Sequence, residues 1–305
     1  MKKIVFIILL SLLLSTPGAS YAQGLGQYHS ISLVVSDTLP RAYWLYEPPG
    51  YTPGEEWPLV FAFHGFGQTP LELASSMEMY GVADTANFFI VYAQGLGVYS
   101  PFSNQTLMGW NVPGVYLAPH DDVEFVRQMI DDIIAHPDFS IDTNRIFSTG
   151  LSMGGELTYY LACNLSERIA SFAGVCAQMM NVVMDNCAPD RIISLYHNLG
   201  TEDEWWPAGG GPGFPPLEGT AEYWAGIANC SLEPTVTYLP DLDPGDDCTV
   251  TLLTYDSCYN GYEVLCYRIE GGIHAWPGGQ YAGQPGVNND IHTSTEIWKF
   301  FLRNP

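Results

Sequence analysis

One five-residue segment constrains this chain more than any other. Gly150-Leu151-Ser152-Met153-Gly154 directly follows an apolar, strand-like run at 145–149 and opens a helical pattern at 153–164. A strand that becomes a helix within one residue brings the flanking positions against neighbouring backbone, so glycine is wanted at 150 and 154, with Gly155 giving further room. The turn is strained and exposes the Ser152 hydroxyl at the strand's end. A strand–turn–helix unit of this kind belongs to a sheet with helices packed on it.

The rest of the chain agrees. Apolar, β-branched or aromatic runs recur at 31–35, 43–46, 59–64, 88–92, 145–149, 171–176, 192–197 and 264–269, which makes eight strand candidates. Helical patterns lie at 122–135, with Asp122 placed to cap the N-terminus, and at 153–164, 220–229 and 293–302. Strands alternating with helices after an initial hairpin predict a mostly parallel eight-stranded sheet flanked by helices. No repeat, low-complexity linker or charge block divides it, so a single domain is expected. Such a sheet carries its site at the carboxyl ends of its strands. The Gly- and Pro-rich stretch 201–217 reads as a long irregular loop, a place where function concentrates.

A serine hydroxyl is a poor nucleophile until a histidine takes its proton and an acid holds that histidine in the right tautomer. The order expected after the nucleophile is acid, then histidine. Thr201-Glu202-Asp203-Glu204 follows the seventh strand candidate, and Gly271-Gly272-Ile273-His274 follows the eighth. The candidate catalytic set is therefore Ser152, Asp203 and His274. Successive residues leaving a strand point in alternating directions, so Glu202, Asp203 and Glu204 cannot all face the histidine. The oxyanion of an acyl intermediate needs backbone N–H donors from the residue after the nucleophile and from the loop after the third strand, here Met153 and Phe66. His64, at the start of that loop, reads as an organiser of the loop rather than a base. Trp110, Trp205 and Trp276 are candidate substrate-binding residues, with Trp206 and Tyr281 also in loops bordering the site.

These residues resemble secreted esterases of the polyhydroxybutyrate depolymerase-like group, related to feruloyl and acetylxylan esterases of the α/β-hydrolase superfamily. The resemblance spans most of the chain. It rests on His64-Gly65 followed by Gln68-Thr69, on Asp121-Asp122-Val123 through Asp131-Asp132, on Ile141-Asp142 with Arg145, on His274 followed by Trp276-Pro277-Gly278, and on the Trp298 and Phe300-Phe301 ending. It places nucleophile, acid and base on Ser152, Asp203 and His274. Two departures stand out. The family's His-Gly-Thr run before the acid is stretched to His197-Asn198-Leu199-Gly200-Thr201, and Ile273 replaces a common glycine before the histidine. The resemblance implies a cofactor-free, metal-free serine esterase with the α/β-hydrolase fold. It favours feruloyl or acetyl esters of plant polysaccharides over a polyhydroxyalkanoate or related polyester, since the chain ends at Pro305 without an appended binding domain. A non-catalytic carbohydrate-binding or interaction protein is the rival from another class.

Charge and cysteine usage place the molecule. With 10 Lys+Arg against 33 Asp+Glu, the net charge of −23 excludes nucleic acid as a partner. Lys2 and Lys3 precede an apolar stretch at 4–14 and small residues at Ser20 and Ala22, the pattern of a signal peptide covering 1–22 and leaving 23–305 as the catalytic domain. That stretch is shorter than the roughly 18 to 20 residues of a spanning helix, so no membrane association is expected. A secreted protein, extracellular or periplasmic, favours disulfides among its seven cysteines. None has a zinc-binding spacing. In the late group an Asn260-Gly261 hairpin turn would put Cys258 out of register with Cys266, and Cys230 with Cys248 is the favoured pair. Asp241, Asp243, Asp246 and Asp247 lack the spacing of a calcium loop and read as a solvated turn.

Overall fold

The central strands form where both faces of the chain can be buried. The computed structural model describes residues 24–35, 40–101, 103–114 and 118–305, and the expected signal peptide lies outside the described residues. In chain order the elements are β1 (Gln27–Val34), β2 (Pro40–Glu47), β3 (Trp57–Phe63), α1 (Pro70–Met77), α2 (Met79–Ala86), β4 (Phe89–Ala93), β5 (Leu96–Ser100), β6 (Gln105–Gly109), α3 (Asp122–Ile134), β7 (Ile141–Leu151), α4 (Met153–Asn164), β8 (Ser171–Val175), α5 (Asn181–Met184), β9 (Ser194–Gly200), α6 (Gly219–Ile227), β10 (Thr235–Tyr238), β11 (Thr249–Tyr255), β12 (Val264–Glu270) and α7 (Thr293–Arg303).

Ten strands make one sheet in the order β1-β2-β4-β3-β7-β8-β9-β12-β11-β10, and β5 and β6 form a separate hairpin. The six strands from β4 to β12 run parallel. All eight expected strands are present, and the sheet is wider than expected because β11 and β10 continue it antiparallel beyond β12. β10 gave little signal in the sequence because all four of its residues are exposed at the sheet's edge.

Alternation along β3 shows how the two layers are built. Leu59, Phe61 and Phe63 join a core with α3, α4 and α6, while Val60 and Ala62 join one with α1, α2 and α7. Two buried faces produce the unbroken apolar runs of the central strands, as expected for a covered parallel sheet.

The structure departs from four sequence expectations. Helix α3 is capped by Asp121, whose Oδ1 accepts from the Glu124 N–H at 3.0 Å. Asp122 instead turns inward, where it accepts from Arg41 Nη2 and from the Asn111 N–H, both at 2.6 Å. Disulfides join Cys163 to Cys187 and Cys230 to Cys258, not Cys230 to Cys248. The end of α6 is stitched to the connection after β11 by Ser231 N–H to Asp256 O and Tyr259 N–H to Ala228 O, which carries Cys258 to Cys230. Cys248 is buried at the root of β11. Strand pairing ends at Tyr255 and Val264, so Asn260-Gly261 lies in a helical turn within a longer connection rather than in a two-residue hairpin, although Cys266 indeed faces Leu253 and not Cys258. Finally, Asp246 is buried, and its carboxylate accepts from the Cys248 and Asn289 N–H groups, each at 2.7 Å. It is a structural tie, not part of a solvated turn.

Candidate active site

Ser152 alone makes the turn between β7 and α4, with φ 57° and ψ −124°. A non-glycine residue held there stores strain on the order of 1–3 kcal/mol, which the surroundings must hold in place. They do so on both sides: the Ser152 N–H donates to Val175 O at 2.9 Å, and its carbonyl accepts from the Gly155 and Glu156 N–H groups. A Cβ on Gly150 would lie 2.2 Å from Gly154 O, and one on Gly154 would lie 1.9 Å from Phe63 O. One on Gly155 would lie 2.6 Å from the Ala177 Cβ. The glycines are thus a steric requirement of the turn, as the sequence implied.

The loop after β3 backs directly onto this turn. A Cβ on Gly65 would sit 3.3 Å from the Ser152 Cβ, and half-buried Phe66 follows. His64 Nε2 accepts from the Gly95 N–H at 3.0 Å, which puts the ring proton on Nδ1, where it donates to Gly65 O at 2.8 Å. Burial lowers the His64 pKa to about 4, so the ring is a neutral strut. Gly65 N–H donates to Gln68 Oε1, and Gly67 N–H to Met108 O on β6. On the other side, Met153 opens α4, where the first N–H groups of a helix have no intrahelical partner.

Parallel pairing sets the ends of β9 and β12 side by side, Gly200 opposite Ile269. Beyond the strands the two loops remain tied by Thr201 N–H to Ile269 O, Glu202 N–H to Gly272 O and Gly271 N–H to Thr201 Oγ1. These bonds bring Asp203 Oδ2 to 2.7 Å from His274 Nδ1. The other oxygen of Asp203 accepts from the Trp205 and Trp206 N–H groups at 2.9 and 3.0 Å. Glu202 and Glu204 point to solvent on either side of buried Asp203, the alternation expected. With Nδ1–H donated to Asp203, His274 Nε2 is left as the basic nitrogen. Ser152 N–H pairs with the end of β8, and β8 and β9 are adjacent, so the elbow and the acid–base loops share one sheet edge.

The expected tryptophans separate. Trp205 is 63% exposed, with its ring centroid 6.4 Å from that of His274. Trp110 and Trp276 are buried and cannot meet a substrate. Trp110 donates its indole N–H to His64 O at 2.8 Å and its backbone N–H to Met153 Sδ at 3.0 Å, bracing the two loops that flank Ser152. Trp206 is also buried, edge-on to Phe214, whereas Tyr281 is exposed. Two supports had no counterpart in the sequence reading. Inside β9, His197 accepts from the Tyr159 hydroxyl at 2.6 Å and donates to Leu217 O at 2.9 Å, tying α4 to the far end of the 201–217 loop. Cys176, one residue beyond β8, donates its thiol to Ala275 O at 3.1 Å. Its position past the end of a parallel strand was the signal that marks site neighbours in such sheets.

No family model matches the chain. It is similar to feruloyl esterase B of Piromyces equi, 27% identical over 241 residues that cover 75% of this chain and 41% of that protein. It is also similar to a bifunctional acetylxylan esterase/xylanase of Neocallimastix patriciarum, 25% identical over 236 residues, 77% of this chain and 31% of that protein. The chain spans less than half the length of these two relatives. Among solved structures, an S-formylglutathione hydrolase from Agrobacterium tumefaciens superposes with a TM-score of 0.60 at 12% identity, covering 95% of this chain and 99% of that one. That likeness establishes the fold, an α/β-hydrolase fold with a mixed sheet and flanking helices.

Proposed function

We propose that this chain is a secreted serine esterase whose single catalytic domain hydrolyses carboxylic esters through an acyl-enzyme. The observation that carries the reading is the strained Ser152 turn set on the same sheet edge as the pair of buried Asp203 and half-buried His274. Ser152 Oγ attacks the ester carbonyl carbon while His274 Nε2 takes its proton, and Asp203 stabilises the imidazolium that forms. The N–H groups of Met153 and Phe66 receive the oxyanion. Collapse of the intermediate breaks the bond to the alcohol, which leaves with the proton from His274. Water then gives a proton to His274 Nε2 and its hydroxyl to the acyl carbon, releasing the acid and restoring Ser152.

Feruloyl or acetyl esters of plant polysaccharides are the substrates this reading favours. Two supports are the similarity to proteins named feruloyl esterase and acetylxylan esterase, and the exposed face of Trp205 beside His274, suited to a sugar or phenolic ring. Secretion agrees with the two disulfides among the described residues and with the leader pattern at 1–22.

A labelled fluorophosphonate should mark Ser152, and Ser152→Ala should abolish labelling and lower kcat on a chromogenic acetate by on the order of 10⁶. Near-normal turnover by that variant would overturn the site, and a wild-type chain inert to both probes would favour a non-catalytic binding protein. A panel of methyl ferulate, acetylated xylan and polyhydroxybutyrate film then ranks substrates. Rapid clearing of the film with little action on the others would overturn the polysaccharide-ester assignment.

A further inference from the structure

Cys176 is a buried free thiol that the esterase mechanism does not use. Its sulfur, a carboxylate oxygen of Asp203 and a ring nitrogen of His274 all lie within 4.8 Å of one another. The three come from separate loops, after β8, β9 and β12, which is why the cysteine spacing in the sequence gave no hint of a shared site. Cys176 and Asp203 are closed off from solvent, while the His274 side chain keeps 16% of its surface open and forms the entrance.

We propose that Cys176, Asp203 and His274 form an inhibitory site for a thiophilic divalent cation such as Zn²⁺ or Cd²⁺. The donor set fits: one thiolate, one imidazole and one carboxylate suit a borderline-soft ion, with water from the His274 side as the fourth ligand. Bond lengths of about 2.0–2.3 Å to a tetrahedral zinc place its donor atoms about 3.3–3.6 Å apart. The Asp203–His274 contact of 2.7 Å would open by less than about 1 Å, and the sulfur, within 4.8 Å of the other donors, would move in by up to about 1.3 Å, shifts within reach of side-chain rotation.

Charge also favours the ion. The resting cluster of a carboxylate, a neutral imidazole and a thiol carries one net negative charge in a buried place. Burial, with the charge of Asp203 second, keeps that thiol protonated. Binding releases the thiol proton to solvent and leaves a dication with one thiolate and one carboxylate, a cluster with no net charge. The inhibition follows from the tautomer. A cation on Nδ1 moves the ring proton of the neutral imidazole to Nε2, and the lone pair that takes the Ser152 proton is then gone.

Inhibition rests on the esterase reading, whereas binding does not, so the experiment reads both. The purified, unreduced chain is titrated with Cd²⁺ while the ultraviolet thiolate-to-cadmium charge-transfer band is followed, with Zn²⁺ as competitor. The expected result is one Cd²⁺ per chain, with the band lost in Cys176→Ser and Cys176→Ala but kept in Cys248→Ser and Cys266→Ser. Ester hydrolysis should fall with the same midpoint and return on chelation, and the midpoint should rise by about a hundredfold or more in the Cys176 variants. A band that survives in both Cys176 variants, or no band in the wild type, overturns the site. Equal Cd²⁺ sensitivity of wild type and Cys176→Ser overturns the inhibition. A chain that shows the Cys176-dependent band but hydrolyses no ester sustains the site and refutes the esterase reading.

Discussion

The two halves of the proposed site, a Ser152 nucleophile half and an Asp203–His274 acid–base half, are held by different physics. The nucleophile half is a local steric device: Ser152 is forced into its turn by three glycines whose missing Cβ atoms let β7, α4 and the loop after β3 touch. The acid–base half is an assembly of distant segments, in which loops after β9 and β12 are knitted by backbone hydrogen bonds until Asp203 meets His274. Steric necessity writes itself into a short run of sequence, while a hydrogen-bonded assembly leaves almost no local trace.

After the loss expected of Ser152→Ala, the largest effect tests the second half. Asp203→Asn should lower kcat by roughly 10⁴ by favouring the wrong tautomer of His274, with Glu202→Gln and Glu204→Gln close to wild type. All three variants must first give the wild-type melting transition. A large loss in either glutamine variant alongside a near-normal Asp203→Asn would show that the assembled geometry differs from the one described. The steric half breaks through stability instead. In Gly154→Ala the new methyl would stand 1.9 Å from Phe63 O, a clash of backbone that cannot rotate away, so the cost should exceed the usual 1–3 kcal/mol or so of overpacking. A variant that melts like wild type and labels normally at Ser152 would show the turn to be softer than its contacts imply.

What the sequence revealed follows the same division. The turn, its glycines, the eight expected strands and the four long helices were all readable, because each rests on contacts between near neighbours or on a repeated apolar pattern. Asp203 was reachable only by joining strand alternation to the expected chain order. The supports Tyr159–His197 and Cys176 were missed, since each is defined by a partner far along the chain. Trp110 and Trp276 misled for the opposite reason: an indole in a loop looks available for substrate, yet here both are packing, and only contacts show it. The disulfide failed because Cys248 and Cys258 differ in burial and neighbours, not in spacing.

Those disulfides offer a gentler test, because each spans one half of the molecule without touching the site. Cys163–Cys187 ties the end of α4, and Cys230–Cys258 ties α6 to the β11–β12 connection, closing loops of 24 and 28 residues. Loop-closure entropy for such lengths gives about 3–4 kcal/mol each. Replacing either pair by serines should therefore lower the denaturation midpoint by similar amounts while leaving kcat unchanged at a temperature where the variant is folded. A fall in kcat in either variant would mean that its bridge also holds catalytic geometry.

The smallest effect concerns pH, and it sets the two halves against each other. His64 braces the nucleophile half and His197 the acid–base half, and burial lowers each from 6.5 to about 4. Unfolded histidines take up protons at a higher pH than these do, so their contribution is fully present above pH 6.5 and is lost as the pH falls through the window down to about 4. Glu156, on the first turn of α4, is buried without a partner, and burial raises it from 4.5 to about 8. The folded chain keeps that proton where the unfolded chain has lost it, so this contribution is full below pH 4.5 and is lost as the pH rises through about 8. Two histidine protons outweigh one carboxyl proton below pH 6.5, and only the carboxyl remains above it. Melting temperature should therefore rise from pH 4 to a maximum near 6.5 and decline gently towards 8, with a slope on the order of 1.4 kcal/mol per pH unit for each proton. Glu156→Gln should flatten the alkaline limb and steepen the acid limb, where its proton opposes those of the two histidines. His197→Gln should level the acid limb, since the His64 proton then only offsets that of Glu156, and adding Glu156→Gln to it should restore a rise from His64 alone. If the double variant His197→Gln/Glu156→Gln showed no acid limb, the nucleophile half would contribute nothing to it, and the neutral strut inferred for His64 would be wrong.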